Sequence, residues 1–172
     1  MFLAVLPITL NTKYLKMKLK LVKKLILCSA FFYLPFTSSA WGLLGHRIVG
    51  QIADSYLTKH TKKAIAEILG DESVAMASNW PDFIKSDPSY NYLSSWHYID
   101  FKPGLSADSI KAYLIKDSAT DAYTKLNFLI AQLKNKDLEQ DKKVLYLRRL
   151  IHIVGDVHQP LHVGHVDDQG GN

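Results

Sequence analysis

The sequence predicts an all-α domain. Several stretches after residue 40 repeat apolar residues at helical spacing, Gly70 and Pro160 stand as helix stops, and no stretch alternates convincingly at period two. In 42–57 the repeating residues are Leu44, Ile48, Val49, Ile52, Ala53 and Tyr56, the i, i+4, i+8 pattern of a helix with one buried face. A second helix is expected at 61–69, ended by Gly70. The segment 79–98 is rich in Asn, Pro, Ser and aromatics without a period and reads as short helical turns and loops. Helices follow at 106–116 and 121–133, the latter with Leu126, Leu129, Ile130 and Leu133 on one side, and the last clear helix runs over 141–157.

The first forty residues have the layout of a secretory signal. They carry six lysines and no acidic residue, then an apolar stretch at 25–36 too short for a comfortable membrane span, then Thr-Ser-Ser-Ala with Ser38 and Ala40 at the −3 and −1 positions of a cleavage site. Cleavage would make Trp41 the new N-terminus, and Met17 opens an alternative, more ordinary signal. The expected destination is secreted or periplasmic, with no membrane association after signal removal.

Removing 1–40 changes the electrostatic reading. Six of the 21 Lys and Arg lie there, which leaves fifteen against sixteen Asp and Glu. The basic balance of the whole chain is therefore no argument for a nucleic-acid-binding surface. All seven histidines remain in 41–172, and the single cysteine, Cys28, does not, so no disulfide is expected and any staple is a metal. Residues 41–172 suffice for one domain with a modest core. Because 168–172 (Asp-Gln-Gly-Gly-Asn) is loop chemistry with no element after it, the domain is expected to continue beyond this chain.

The densest chemistry lies in His-Ile-Val-Gly-Asp-Val-His-Gln-Pro-Leu-His, residues 152–162. His152 and Asp156 are four apart, one above the other on a helix, as two ligands of one cation must be. Pro160 breaks the helix, and His162 can swing toward the same region from a loop. Imidazoles and a carboxylate within an apolar run (Leu150, Ile151, Ile153, Val154) are costly to bury without a partner, and a transition metal is the natural one. The alternative is a set of ordinary polar positions on an amphipathic helix.

Trp41 would offer its freed α-amino nitrogen and carbonyl oxygen as a chelate, which His46 could join; packing is the plainer reading of both. Asp82, in Asn-Trp-Pro-Asp, and His97, in Ser-Trp-His-Tyr-Ile-Asp, each follow a tryptophan. Taken alone, Asp82 reads as a helix N-cap and His97 as a core histidine bonded to backbone. With His152 and Asp156 they make a mixed N/O set suited to zinc.

In order, Trp-Gly-x-x-Gly-His, Trp-Pro-Asp, Trp-His-Tyr-Ile-Asp, His-x-x-Gly-Asp-x-His-Gln-Pro-Leu-His and Asp-x-Gly-Gly-Asn resemble the zinc-dependent single-strand nucleases of the S1/P1 type, within the zinc phospholipase C superfamily. The resemblance covers 41–172. It implies a multi-helical phospholipase C/nuclease-like fold with three zinc ions in a cleft. One zinc would be held by Asp82, His97, His152 and Asp156, and a second by Trp41, His46 and the bridging Asp156. His162 would belong to a third, whose remaining ligands come from a later helix.

The implied activity is hydrolysis of single-stranded DNA and RNA, and of 3′-nucleotides, to 5′-phosphate products, with no stable protein partner. Neighbouring cations activate water near neutral pH and clamp a phosphate. Asp82 would orient or deprotonate the attacking water, and Lys85, where many relatives carry arginine, would supply positive charge without a bidentate fork. Tyr98 would stack on an unpaired base and Asp100 accept from a base edge, while core packing is the alternative for Tyr98. Two other readings remain open: a phospholipase C-like phosphoester hydrolase, and an inactive zinc-binding fragment.

Overall fold

The computed structural model describes residues 20, 22–24 and 42–167. Contacts divide the chain into two units, Met1–Ser38 and Ser39–Asn172. In the first, residues 22–24 are helical and exposed; the rest of the expected signal segment, Trp41 and the loop at 168–172 lie outside the described residues.

The second unit is built of helices. Helix α1 (Leu43–Tyr56) is followed by α2 (Lys59–Leu69), two single turns α3 (Val74–Ala77) and α4 (Trp80–Phe83), and 3₁₀ segments at Ile84–Ser86 and Pro88–His97. Strand β1 (Ile99–Phe101) precedes α5 (Ala107–Lys116), α6 (Ala122–Leu133) and α7 (Gln140–Asp156). A 3₁₀ turn, Pro160–His162, then leads into β2 (Val163–His165).

Local chemistry sets these boundaries. Helix α2 starts at Lys59, two residues before the expected Thr61, because the Thr58 hydroxyl oxygen accepts the Thr61 N–H at 3.1 Å. Gly70 closes that helix at φ 64°, a conformation that costs glycine little. Asp121 caps α6 in a reciprocal pairing with Thr124. Helix α7 ends at Asp156, four residues before Pro160, which instead opens the next 3₁₀ turn.

The core is formed by Leu93, Trp96, Ala122, Leu129 and Ile153, with Leu126, Tyr146 and Leu150 packed against it. Each fully buried Leu or Ile there contributes roughly 1.5–3 kcal/mol. Helix α7 lies at the centre, in contact with α1, α2, α3, α4 and α6.

One expectation needs correction. The apolar stripe of α1 does not face inward: Leu44, Ile48, Ile52 and Tyr56 are 71, 50, 54 and 84% exposed, while His46 and Gly50 are buried. Close approach selects the face. A Cβ at Gly50 would stand 2.8 Å from Ala75 Cα, so α1 meets α3 where it has no side chain. Beside the helices lies a short parallel strand pair, with Ile99 opposite Val163 and Phe101 opposite His165, which leaves the domain all-α in class. Strands of three residues are too short to show alternation, and their pairing depends on a partner far along the chain.

Candidate metal centre

Five elements deliver polar side chains to one buried point. His46 comes from the first turn of α1, Asp82 from α4, His97 from the end of the long 3₁₀ segment, His152 and Asp156 from α7, and His162 from the 3₁₀ turn after it. His46, His97, His152, Asp156 and His162 are all buried. The two residues of α7, four apart, present His152 Nε2 and Asp156 Oδ2 at 3.0 Å.

Asp156 is the centre of the cluster. Its Oδ2 lies 3.0 Å from His97 Nδ1, and its Oδ1 lies 3.2 Å from His46 Nε2 and 3.7 Å from His162 Nε2. Asp82 closes the other side, with Oδ1 3.8 Å from His152 Nε2 and Oδ2 3.6 Å from His46 Nε2. The His46 and His152 rings stack with centroids 4.1 Å apart. Lys85 reaches Asp82 Oδ1 at 2.7 Å from a half-exposed position.

Burial alone would raise the Asp156 carboxyl, but the imidazoles of His152, His46 and His97 gathered around it outweigh burial and hold the group well below the usual carboxylate range. Asp82 is likewise lowered: burial opposes, and His152 and the hydrogen bond from Lys85 prevail. Burial pushes His97 down to about 4, so its imidazole is neutral at neutral pH. Both carboxylates are thus ionised and His97 is uncharged, the protonation states that metal ligation requires.

Two overlapping groups, His46/His152/Asp156 and Asp82/His97/His152, bring one donor atom from each member within 4.8 Å of one another. Donors bonded to a tetrahedral ion at 2.0–2.2 Å stand roughly 3.3–3.6 Å apart. Separations of 2.9–3.8 Å around His152 Nε2 bracket that spacing. The donor chemistry and the geometry therefore fit a metal ion.

Two alternatives drawn from sequence do not hold. Asp82 is no N-cap; it lies inside α4 behind Asn79 and Pro81. The ring of His97 bonds side chains of Asp156, His152 and Arg149 instead of backbone. Tyr98, just before β1, and Asp100, within it, are half-buried and belong to neither ligand group.

Sequence reasoning missed two contributors. Ser78 accepts a hydrogen bond from His152 Nδ1 at its carbonyl, 2.6 Å, while its hydroxyl lies 2.8 Å from the His46 carbonyl oxygen. Nothing in its local sequence signals this. Arg149, 2% exposed, sits 3.1 Å from His97 Nε2. A charge three residues before His152, on the same face of the helix, was the available clue.

The class so defined is a helical domain whose central helix gathers His/Asp groups able to hold a metal ion. The family model described as S1/P1 Nuclease matches residues 41–172, and the chain belongs to that family. It is 32% identical over 145 residues to Endonuclease 4 of Arabidopsis thaliana, covering 77% of this chain and 48% of that protein. Nuclease S1 of Aspergillus oryzae is 30% identical over 142 residues (77% and 47%), and Nuclease P1 of Penicillium citrinum 26% over 132 residues (71% and 47%). The chain spans about half the length of these relatives.

Proposed function

We propose that this chain is the catalytic-centre portion of an exported, zinc-dependent endonuclease. Its substrates are single-stranded DNA, RNA and 3′-nucleotides, and its products carry 5′-phosphates. The observation that carries the reading is the Asp156 carboxylate, buried and held between His46, His97 and His152 at 3.0–3.2 Å. Such a constellation is costly to bury unless a cation satisfies it.

Asp82, His97, His152 and Asp156 would hold one ion, with His46, Asp156 and the freed terminus of Trp41 holding another and His162 contributing to a third. Bound zinc supplies Lewis acidity, which activates water and stabilises charge on phosphate oxygens. Asp82, partly exposed at the edge of the cluster, orients the attacking water and takes its proton. Lys85, paired with Asp82, brings positive charge to the phosphate as it becomes more negative. Tyr98 offers a face to an unpaired base and Asp100 an acceptor to its edge. Residues 1–40 act as an export signal, and N-terminal sequencing of the exported protein should begin at Trp41.

The deciding experiment measures hydrolysis of a single-stranded oligonucleotide, a 3′-nucleotide and a phospholipid before and after chelation. Nucleic-acid cleavage that disappears with chelator and returns with zinc is expected. Cleavage indifferent to chelation would overturn the proposal, and turnover of phospholipid alone would transfer it to the phospholipase C-like reading.

A further inference from the structure

Arg149 stands on α7 one turn before His152, on the face that also carries Asp156. Its guanidinium is buried, and among the described residues no carboxylate lies within 4.0 Å of it and its Nε–H has no hydrogen-bond partner. The contact that orients it is with His97, NH1 to Nε2 at 3.1 Å.

A guanidinium can only donate. His97 must therefore accept at Nε2, and its neutral ring carries its proton on Nδ1. That nitrogen faces Asp156 Oδ2 at 3.0 Å and His152 Nε2 at 2.9 Å. His152 is arranged in the opposite sense. The Ser78 carbonyl accepts from its Nδ1, leaving the Nε2 lone pair aimed into the cluster.

An acceptor behind an imidazole, as at His152, makes the ring a better ligand. A cationic donor behind it does the reverse: it occupies the outer lone pair, leaves the proton on the inner nitrogen and places a positive charge one hydrogen bond from the ligand ring.

Resting on the metal-centre reading above, we propose that Arg149 is a positioning residue that turns the N–H of His97 into the cluster and thereby weakens the cluster's grip on a divalent cation. The same histidines and aspartates behind an apolar neighbour would bind the ion more tightly. Arg149 thus tunes the site toward exchangeable metal and, once an ion is bound, toward a more electrophilic one.

The test is competitive zinc titration of the full chain against a chromophoric chelator, comparing the parent protein with Arg149→Met and Arg149→Lys. Met is expected to raise zinc affinity at least 10-fold, and Lys, still a cationic donor, to stay near the parent. Equal or weaker binding by a folded Arg149→Met overturns the inference while leaving the metal centre intact. No zinc binding by any of the three overturns the metal-centre reading and this inference with it. A second measurement needs no variant: long-range ¹H–¹⁵N correlation of the metal-free parent should place the His97 proton on Nδ1, and a proton on Nε2 would refute the proposal.

Discussion

Gly155 faces the ring of His46 so closely that a Cβ at Gly155 would lie 3.2 Å from His46 Nδ1. The glycine lets α1 settle against α7 beside Asp156, which is how a histidine from the first helix reaches a carboxylate from the last. Gly155→Ala would gain roughly 0.5–1 kcal/mol of helix propensity, offsetting the cost of the tight contact. Overall stability should therefore change little, while His46 is displaced from its 3.2 Å contact with Asp156 Oδ1. Zinc affinity, read by competitive titration, is expected to fall about 10-fold, in the range found when the support of a ligand is disturbed. Undiminished affinity would show that His46 is not held by this contact.

Ser78 connects two of the histidines by different atoms. Its hydroxyl hydrogen is shared between the carbonyls of His46 and Ala75, each at 2.8 Å, whereas its own carbonyl receives His152. Ser78→Ala removes the first connection and leaves the second. A buried carbonyl deprived of its donor costs about 1–3 kcal/mol, so the melting temperature should drop by roughly 3–10 °C. Zinc binding should survive, because the backbone acceptor that fixes His152 is untouched. Calorimetric melting with a parallel zinc titration separates the two effects.

The metal-free protein should lose stability on acidification in two overlapping stages. Burial lowers His97 from 6.5 to about 4, so between those values the unfolded chain binds a proton that the folded chain refuses. Stability therefore rises with pH across that window and falls as pH drops from 6.5 toward 4. Burial raises Asp156 but the three imidazoles around it lower it further, leaving it below 3.8 when folded. Its contribution is present above 3.8 and is lost as pH falls through the folded value. Urea midpoints measured across this range should decline monotonically, and His97→Gln should flatten the upper part. A parent midpoint independent of pH between 6.5 and 4 would contradict the burial of a neutral His97.

The His and Asp side chains that converge on Asp156 stood out in the sequence because metal chemistry tolerates few residue types and the His152/Asp156 spacing is local to one helix. The caps at Thr58, Asp121 and Gly70 follow from local chemistry as well. The inward face of α1 was not legible: its bulky stripe at Leu44, Ile48 and Ile52 outweighs Gly50 in any count of hydrophobic residues, yet Gly50 decides the contact through what it lacks. Ser78 and Arg149 were missed for a related reason. Their roles are set by partners 32 to 74 residues away in the chain, to which local periodicity is blind.

Asp156 should prove indispensable in a way Lys85 does not. Asp156→Asn keeps the size of the side chain but removes the charge that faces His46 and His162 through one oxygen and His97 and His152 through the other. An amide also presents an NH₂ donor where one of those acceptor atoms stood, so both of the ion sites proposed to share Asp156 are damaged by one change. Bound zinc should fall to half or less of the parent value, and nuclease turnover by at least about 10³-fold, since removing even one transition-state donor costs 10²–10³. Lys85→Met, by contrast, deletes a half-exposed charge that touches only the Asp82 edge, at 2.7 Å. Zinc content should stay at the parent level while kcat on single-stranded oligonucleotide drops about 10- to 100-fold, and Lys85→Arg should restore it. Metal analysis by plasma mass spectrometry beside steady-state kinetics makes the comparison; an Asp156→Asn protein retaining its full zinc would remove the central ligand from the proposal.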